Sequence, residues 1–388
     1  MSRMRAVAAG TALLALVCTG CSAASPAGPG RSPVAKKPAS GTSAQPGHPA
    51  AWPQRLVWRE TTNEYISAQA VNPGAGLAYA LVSRASGPAG GPWVLESISL
   101  RTGSVHRGPA FPVGGLALAS GYLWIYGVPS GGTQPVVSQL NPLTLARVRS
   151  VSLPKVPDAY AGLPMALATG PADSVWMGSF RTLLRVSAAT GVALSRVQLP
   201  AALAISNLSV DPAFSRLYVA AARLVGSDGV EGAVVVEYDA RSGQRLAMAS
   251  GGIIRDSVAG AQLTAMPGGV WVSFRTGMLG LSILLRQRDL AVIAPTNPEA
   301  ASLQPADGIF HWPMYSQTVY GGGALWLADQ VGIVACIDPG SGTVRAMERL
   351  PQAQLASRLP ATNPASHVVF AIETRGLVEF IPPRGCWS

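Results

Sequence analysis

The feature that most constrains this chain is an aromatic residue that returns seven times between apolar neighbours. It stands at Tyr79, Trp124, Trp176, Tyr218, Trp271, Trp326 and Phe370, at intervals of 42 to 55 residues. Leu123-Trp124-Ile125, Val175-Trp176-Met177 and Leu325-Trp326-Leu327 show the pattern most plainly. Gly or a polar turn precedes most copies, as at Pro267-Gly268-Gly269 and Gly321-Gly322-Gly323. An alternating segment follows and ends in a turn, clearest at Ile333 to Asp338 before Ser341-Gly342. A further strand then closes on Leu-Pro at Leu153-Pro154, Leu199-Pro200 and Leu350-Pro351. Each unit therefore holds four short strands. A four-stranded unit cannot bury both faces alone, and stacking the units around an axis removes that problem. The expected fold class is all-β: a seven-bladed β-propeller with four-stranded blades and the aromatics packed between neighbours.

Composition agrees. Gly and Pro, at 43 and 32 residues, break helix interiors and exclude a helical bundle. A hydrophobic fraction of 48% excludes global disorder. The seventh unit offers strands at Val368–Ile372 and Leu377–Ile381 but no fourth. An extra strand, Arg55–Arg59, precedes the first unit. The economical reading is closure by this N-terminal strand in the last blade, which removes an open edge. The propeller domain is thus expected over residues 54–388.

The N-terminus reads as an export signal. Arg3 and Arg5 precede an apolar run, Ala6 to Val17, too short to span a bilayer as a helix. Thr19-Gly20-Cys21 resembles a bacterial lipobox, in which the Cys receives a lipid. The resemblance implies a lipoprotein signal peptide over 1–20, lipidation at Cys21 and attachment to the extracytoplasmic face of the cell membrane. The alternative is a plain secretory signal cleaved near Ala23 or Ala24. Residues 21–53, rich in Ala, Ser, Pro and Gly, read as a flexible tether.

Formal net charge is +10, but five basic residues and no acidic ones fall in residues 1–50. The rest of the chain has 24 basic against 19 acidic residues. That excess is too thin for nucleic-acid binding. Four Cys exclude a disulfide-dense scaffold. With Cys18 lost in the signal and Cys21 lipidated, Cys336 and Cys386 remain on adjacent units. A disulfide between them is favoured over two free thiols in an exported protein.

The strand-turn segment Ile337-Asp338-Pro339-Gly340-Ser341-Gly342-Thr343-Val344 carries a wider resemblance. Tyr238-Asp239-Ala240-Arg241-Ser242-Gly243 matches it partly. The units resemble those of extracytoplasmic seven-bladed propellers of the YVTN and quinoprotein-like type, including the streptogramin lyase family. The likeness covers about residues 55–388. It implies fold and leaves activity open, because propellers host many functions.

Catalytic signals are few. A lyase of that type would need a general base and a metal. His311 is the best-placed histidine, beside Trp312 in the stretch 295–318 between the fifth and sixth units, and no family motif aligns around it. One constellation stands out. An Arg lies four or five residues past the aromatic in five units: Arg84, Arg181, Arg223, Arg275 and Arg375. The loops after the second strands share one rim of a propeller. These positions therefore predict a partial ring of guanidinium groups at the axial mouth, suited to carboxylate or phosphate. Asp329 and Glu373 would add polarity there, and Trp312 a stacking surface. The opposing reading is arginines solvated or paired with acids of the next blade. The expectation is a monomeric, non-catalytic binding or scaffold module without cofactor or metal. Its partner would be a protein or an anionic envelope polymer. The alternative is a lyase-like or quinoprotein-like enzyme using the same mouth.

Overall fold

The computed structural model describes residues 52–59, 65–83, 92–158, 165–225, 229–249, 258–276, 279–293, 310–312, 316–329, 333–349, 358–373 and 376–387. The described strands form seven four-stranded antiparallel sheets, the blades of a propeller. Blade 1 holds β2 (Tyr65–Asn72), β3 (Leu77–Ser83), β4 (Trp93–Ser99) and β5 (Val105–Phe111). Blade 2 holds β6 (Gly115–Ala119), β7 (Tyr122–Gly127), β8 (Val136–Leu140) and β9 (Arg147–Ser152). Blade 3 holds β10 (Met165–Gly170), β11 (Ser174–Ser179), β12 (Thr182–Ser187) and β13 (Ala193–Gln198). Blade 4 holds β14 (Leu203–Val210), β15 (Arg216–Val225), β16 (Gly229–Asp239) and β17 (Arg245–Ala249). Blade 5 holds β18 (Val258–Met266), β19 (Gly269–Thr276), β20 (Leu279–Arg286) and β21 (Phe310–Trp312). Blade 6 holds β22 (Ser316–Gly321), β23 (Ala324–Asp329), β24 (Ile333–Ile337) and β25 (Val344–Arg349). Blade 7 holds β26 (Arg358–Asn363), β27 (Val368–Glu373) and β28 (Gly376–Phe380), with β1 (Gln54–Arg59) as its fourth strand.

Each recurring aromatic falls on the second strand of its blade and buries against the second strand of the next. Trp176 packs with Leu217 and Val219 of blade 4. Tyr218 packs with Val270 and Val272 of blade 5, and Trp326 with Val369 and Ala371 of blade 7. Phe370 packs with Ala78 and Ala80 of blade 1, so the series of cores returns to its start. A second strand thus faces a neighbour on both sides, which is why β11 reads Ser-Val-Trp-Met-Gly-Ser and is buried throughout. Burying one such ring contributes about 2–3 kcal/mol. The outer strands face solvent, and β13 is mostly exposed.

The turns between third and fourth strands repeat one geometry. In each of six blades a backbone N–H bonds the carbonyl four residues back: Gly103 to Ser99, Leu145 to Asn141, Gly191 to Ser187, Gly243 to Asp239, Leu290 to Arg286 and Gly342 to Asp338. All six donors have φ between 54° and 76°. Four are glycine, as that region favours. Leu145 and Leu290 instead bury their side chains in interblade cores. The preceding blade seats on these turns. The Tyr79 hydroxyl donates to the Pro142 carbonyl at 2.9 Å, Gln139 Nε2 to Ala188 at 2.8 Å and Trp176 Nε1 to Ala240 at 3.0 Å.

The first and last described residues are packed. Trp52 is buried beside Cys386, and its N–H donates to Glu348 Oε2 at 3.3 Å. Its indole joins the core between blades 6 and 7. Cys336 on β24 is joined to Cys386, with Cα atoms 5.9 Å apart. Trp387 lies against Trp326, with ring centroids 4.8 Å apart. The expected signal peptide, Cys21 and the expected tether up to residue 51 lie outside the described residues.

Candidate binding rim

In every blade the second-to-third-strand turn and the link to the next blade leave from the same end of the sheet, because strand directions alternate. At that end β11 and β12 join through Phe180 and Arg181 alone. Phe180 has φ 51°, a strained value for a bulky residue. The network around it holds that value. The Phe180 carbonyl accepts the Ile205 N–H at 2.6 Å, and the Arg181 carbonyl accepts the Leu199 N–H at 2.8 Å. The Arg181 guanidinium carbon lies 5.6 Å from the Phe180 ring centroid, within cation–π range. Arg181 Nε is buried and has no hydrogen-bond partner among the described residues.

Arg223 comes from the next blade. It lies inside β15, opposite Leu203 and Glu231, rather than in a loop. The β15–β16 hairpin continues its ladder to Val225 opposite Gly229, which lengthens the strand past the expected turn. The Leu224 N–H donates to the Ala202 carbonyl at 2.8 Å. Arg181 therefore grips one end of the 199–203 link through its carbonyl, and Arg223 stands at the other end. Two guanidinium-bearing residues from neighbouring blades flank one link. A guanidinium is always charged and presents a planar fork of donors that fits carboxylate or phosphate.

The remaining expected positions are reached by backbone placement. Arg275 also lies inside its strand, β19, in one cross-sheet row with Gly280 and Trp312. His311 and Trp312 do not lie in an interblade link, as expected from sequence, but on β21, the fourth strand of blade 5. Aromatic residues suit a pleated surface, and Phe310-His311-Trp312 pairs with β20 at the end of a long connection. Asp329 closes β23 opposite Ser316, and Glu373 closes β27 opposite Gly376. Arg181, Arg223, Arg275, Trp312, Asp329 and Glu373 thus occupy the same end of their respective blades. Arg84 and Arg375 lie outside the described residues. Among the described residues no three His, Cys, Asp or Glu side chains gather as a metal site.

A polar cluster that sequence patterning missed lies between blades 4 and 5. Glu237 is fully buried. Its Oε2 accepts the Arg288 N–H at 2.9 Å. Arg216 Nε stands 3.0 Å from its Oε1, an ion pair by distance whose N–H is not aimed at the oxygen. Burial pushes the Glu237 carboxyl up, against the opposing pull of the Arg288 N–H and Arg216. The same burial, with the Glu237 charge beside it, pushes the Tyr218 hydroxyl far up. The cluster pins the blade 5 turn to blade 4. Its only sequence signal is a Glu at an apolar strand position opposite the recurring aromatic.

The fold and rim define a seven-bladed β-propeller with an arginine-bearing face. No protein-family model matches the chain. No curated protein matches it. Among solved structures, BamB from Moraxella catarrhalis is similar at 13% identity and a TM-score of 0.52, over 84% of this chain and 88% of that one. U3-55K is similar at 12% identity and a TM-score of 0.57, over 85% of this chain and 98% of that one. At such identities the likeness is one of fold.

Proposed function

We propose that this protein is an exported, lipid-anchored propeller that acts as a non-catalytic binding or scaffold module at the extracytoplasmic face of the membrane. The observation that carries the binding reading is the Arg181–Arg223 pair around the 199–203 link, next to the strained Phe180. Backbone strain of this kind clusters at ligand clamps. The ligand class is an anionic group, carboxylate or phosphate, on a protein or an envelope polymer. The location rests on the charged start, the short apolar run and the Thr19-Gly20-Cys21 segment.

Two measurements test this reading. Replacing Arg181 and Arg223 together with Gln removes the charge at the rim. Salt-sensitive binding of polyphosphate or heparin to the full chain is expected to weaken, and because both side chains are half-buried the melting temperature of the variant is measured alongside. Binding equal to wild type overturns the rim. For the anchor, Cys21→Ala is expected to move the protein out of the detergent phase on partitioning. Equal partitioning of variant and wild type overturns lipidation.

A further inference from the structure

The charge of the propeller is concentrated on one stretch of its outer wall. Residues 141–152, 188–198 and 240–249 form the third-to-fourth-strand turns and outer strands of blades 2, 3 and 4. They contain Arg147, Arg149, Arg196, Arg241 and Arg245 and no carboxylate, with Asp239 ending β16 just before the last stretch. Residues 51–388 carry an excess of only five basic residues, so this wall accounts for an amount equal to all of it. Asp239 is committed to its own turn through the Ser242 N–H and hydroxyl. Among the described residues none of these five arginines, nor Arg185 on β12, pairs with a carboxylate. Arg149 and Arg185 donate to the carbonyls of Ala189 and Arg241, each on the following blade. These bonds stitch the three blades into one surface. The remaining donors of those guanidinium groups stay free of acidic partners.

Aliphatic side chains run through the same surface. Val148, Leu194 and Leu246 each stand three residues after the left-handed turn residue of their blade, Leu145, Gly191 and Gly243. They are 43%, 47% and 42% exposed. The row stops at both ends: the equivalent positions are His106 in blade 1 and the half-buried Ile293 in blade 5. Met248 and Val192 extend it. Among the described residues the outer strands β9, β13 and β17 each end their sheet, leaving one ladder edge unpaired. Such an edge accepts an extended chain through its backbone groups.

We propose that the outer wall of blades 2 to 4 is a second docking surface, for an extended acidic segment of a partner protein whose carboxylates alternate with apolar side chains. The carboxylates meet Arg196, Arg241 and Arg245, and the apolar side chains meet the Val148–Leu194–Leu246 row. A polyanion has no use for the aliphatic row. A flat bilayer does not cover outer strands that turn away from one another by about a seventh of a circle per blade. The surface lies on the circumference and is independent of the rim at Arg181 and Arg223.

The test uses the full chain and the peptide (Asp-Val)6, with polyglutamate of equal charge and phosphatidylglycerol vesicles as competitors. The peptide is expected to bind more tightly than polyglutamate and to slow amide exchange along Ala193–Gln198. R196Q/R241Q/R245Q and L194S/L246S are each expected to weaken it about tenfold, while R181Q/R223Q leaves it unchanged. Equal affinity for polyglutamate or vesicles, or indifference to L194S/L246S, overturns the proposal in favour of a charge-only surface. Absence of peptide binding or of protection on β13 overturns it outright. The exchange measurement is made on the wild-type chain, so the result stands even where a variant folds poorly.

Discussion

Gly103 lies against the carbonyl oxygen of Val57: a Cβ at position 103 would stand 2.6 Å from that oxygen. The contact sets the turn of blade 1 onto β1, the strand paired with β28 in blade 7. Arg55 adds a hydrogen bond across the same boundary, donating to the Leu100 carbonyl at 3.0 Å. The last and first blades thus meet through backbone at a point where only glycine fits.

Replacing Gly103 with Ala separates two costs. Gly121 has nearly the same conformation, φ 74° against 70°, but nothing lies within 4 Å of a Cβ there. Gly121→Ala is expected to lose about 1 kcal/mol from the left-handed conformation alone. Gly103→Ala has to push β1 away as well, and a loss of about 3 kcal/mol is expected. Urea unfolding of the two variants measures the difference. Equal losses would mean that β1 does not bear on the turn.

We further propose that β1 closes the ring by covering the edge of β28. Val57 and Trp58 are buried on it, and its ladder runs from Gln54 opposite Phe380 to Arg59 opposite Gly376. Deleting residues 54–60 is expected to cost far more stability than deleting residues 22–50, since the first exposes a sheet edge and a core. Similar melting temperatures for both deletions would defeat the closure.

The bond between Cys336 and Cys386 spans 50 residues. A loop of that length corresponds to about 4 kcal/mol of lost freedom in the unfolded chain. Reduction is therefore expected to lower the melting temperature and to change tryptophan fluorescence, because Trp387 next to Cys386 rests on Trp326. A reduced protein that melts with the oxidised one would show that packing of Trp52 and Trp387 alone holds the tail.

Much of this architecture was legible in the chain. The second-strand aromatics were visible because a buried ring between blades tolerates few replacements, so Tyr, Trp or Phe recurs at each interface. The turn at Asp338 was visible for a similar reason, since its geometry selects Asp, Ser and Gly. Strand ends were less legible. Arg223 and Arg275 looked like loop residues because nothing in an Ala-rich stretch such as Ala220-Ala221-Ala222 marks where a ladder stops. His311 looked like a linker residue because its strand is three residues long and follows a long connection. The outer-wall arginines escaped notice because their grouping depends on three blades lying side by side, not on any local spacing.

Asp338 links the best-formed turn to pH. Its Oδ1 accepts the Gly340 N–H at 3.0 Å, the Ser341 N–H at 2.9 Å and the Ser341 hydroxyl at 3.0 Å. Arg345 pairs with Oδ2. Burial opposes ionisation of this carboxyl. The Arg345 bond, together with the Ser341 donors, outweighs it and holds the group at about 2, below the ordinary value of 3.8. A carboxyl held low in the folded state binds its proton less readily there than in the unfolded chain. Its contribution to stability is therefore complete above pH of about 4 and is lost as pH falls toward about 2. Asp338→Asn keeps an acceptor for the turn N–H groups but cannot ionise. The stability gap between wild type and variant is expected to be constant from neutral pH down to about 4 and to shrink below it. Chemical denaturation across that range reads the gap directly. A gap independent of pH would mean that the turn, not the charge, accounts for all that Asp338 contributes.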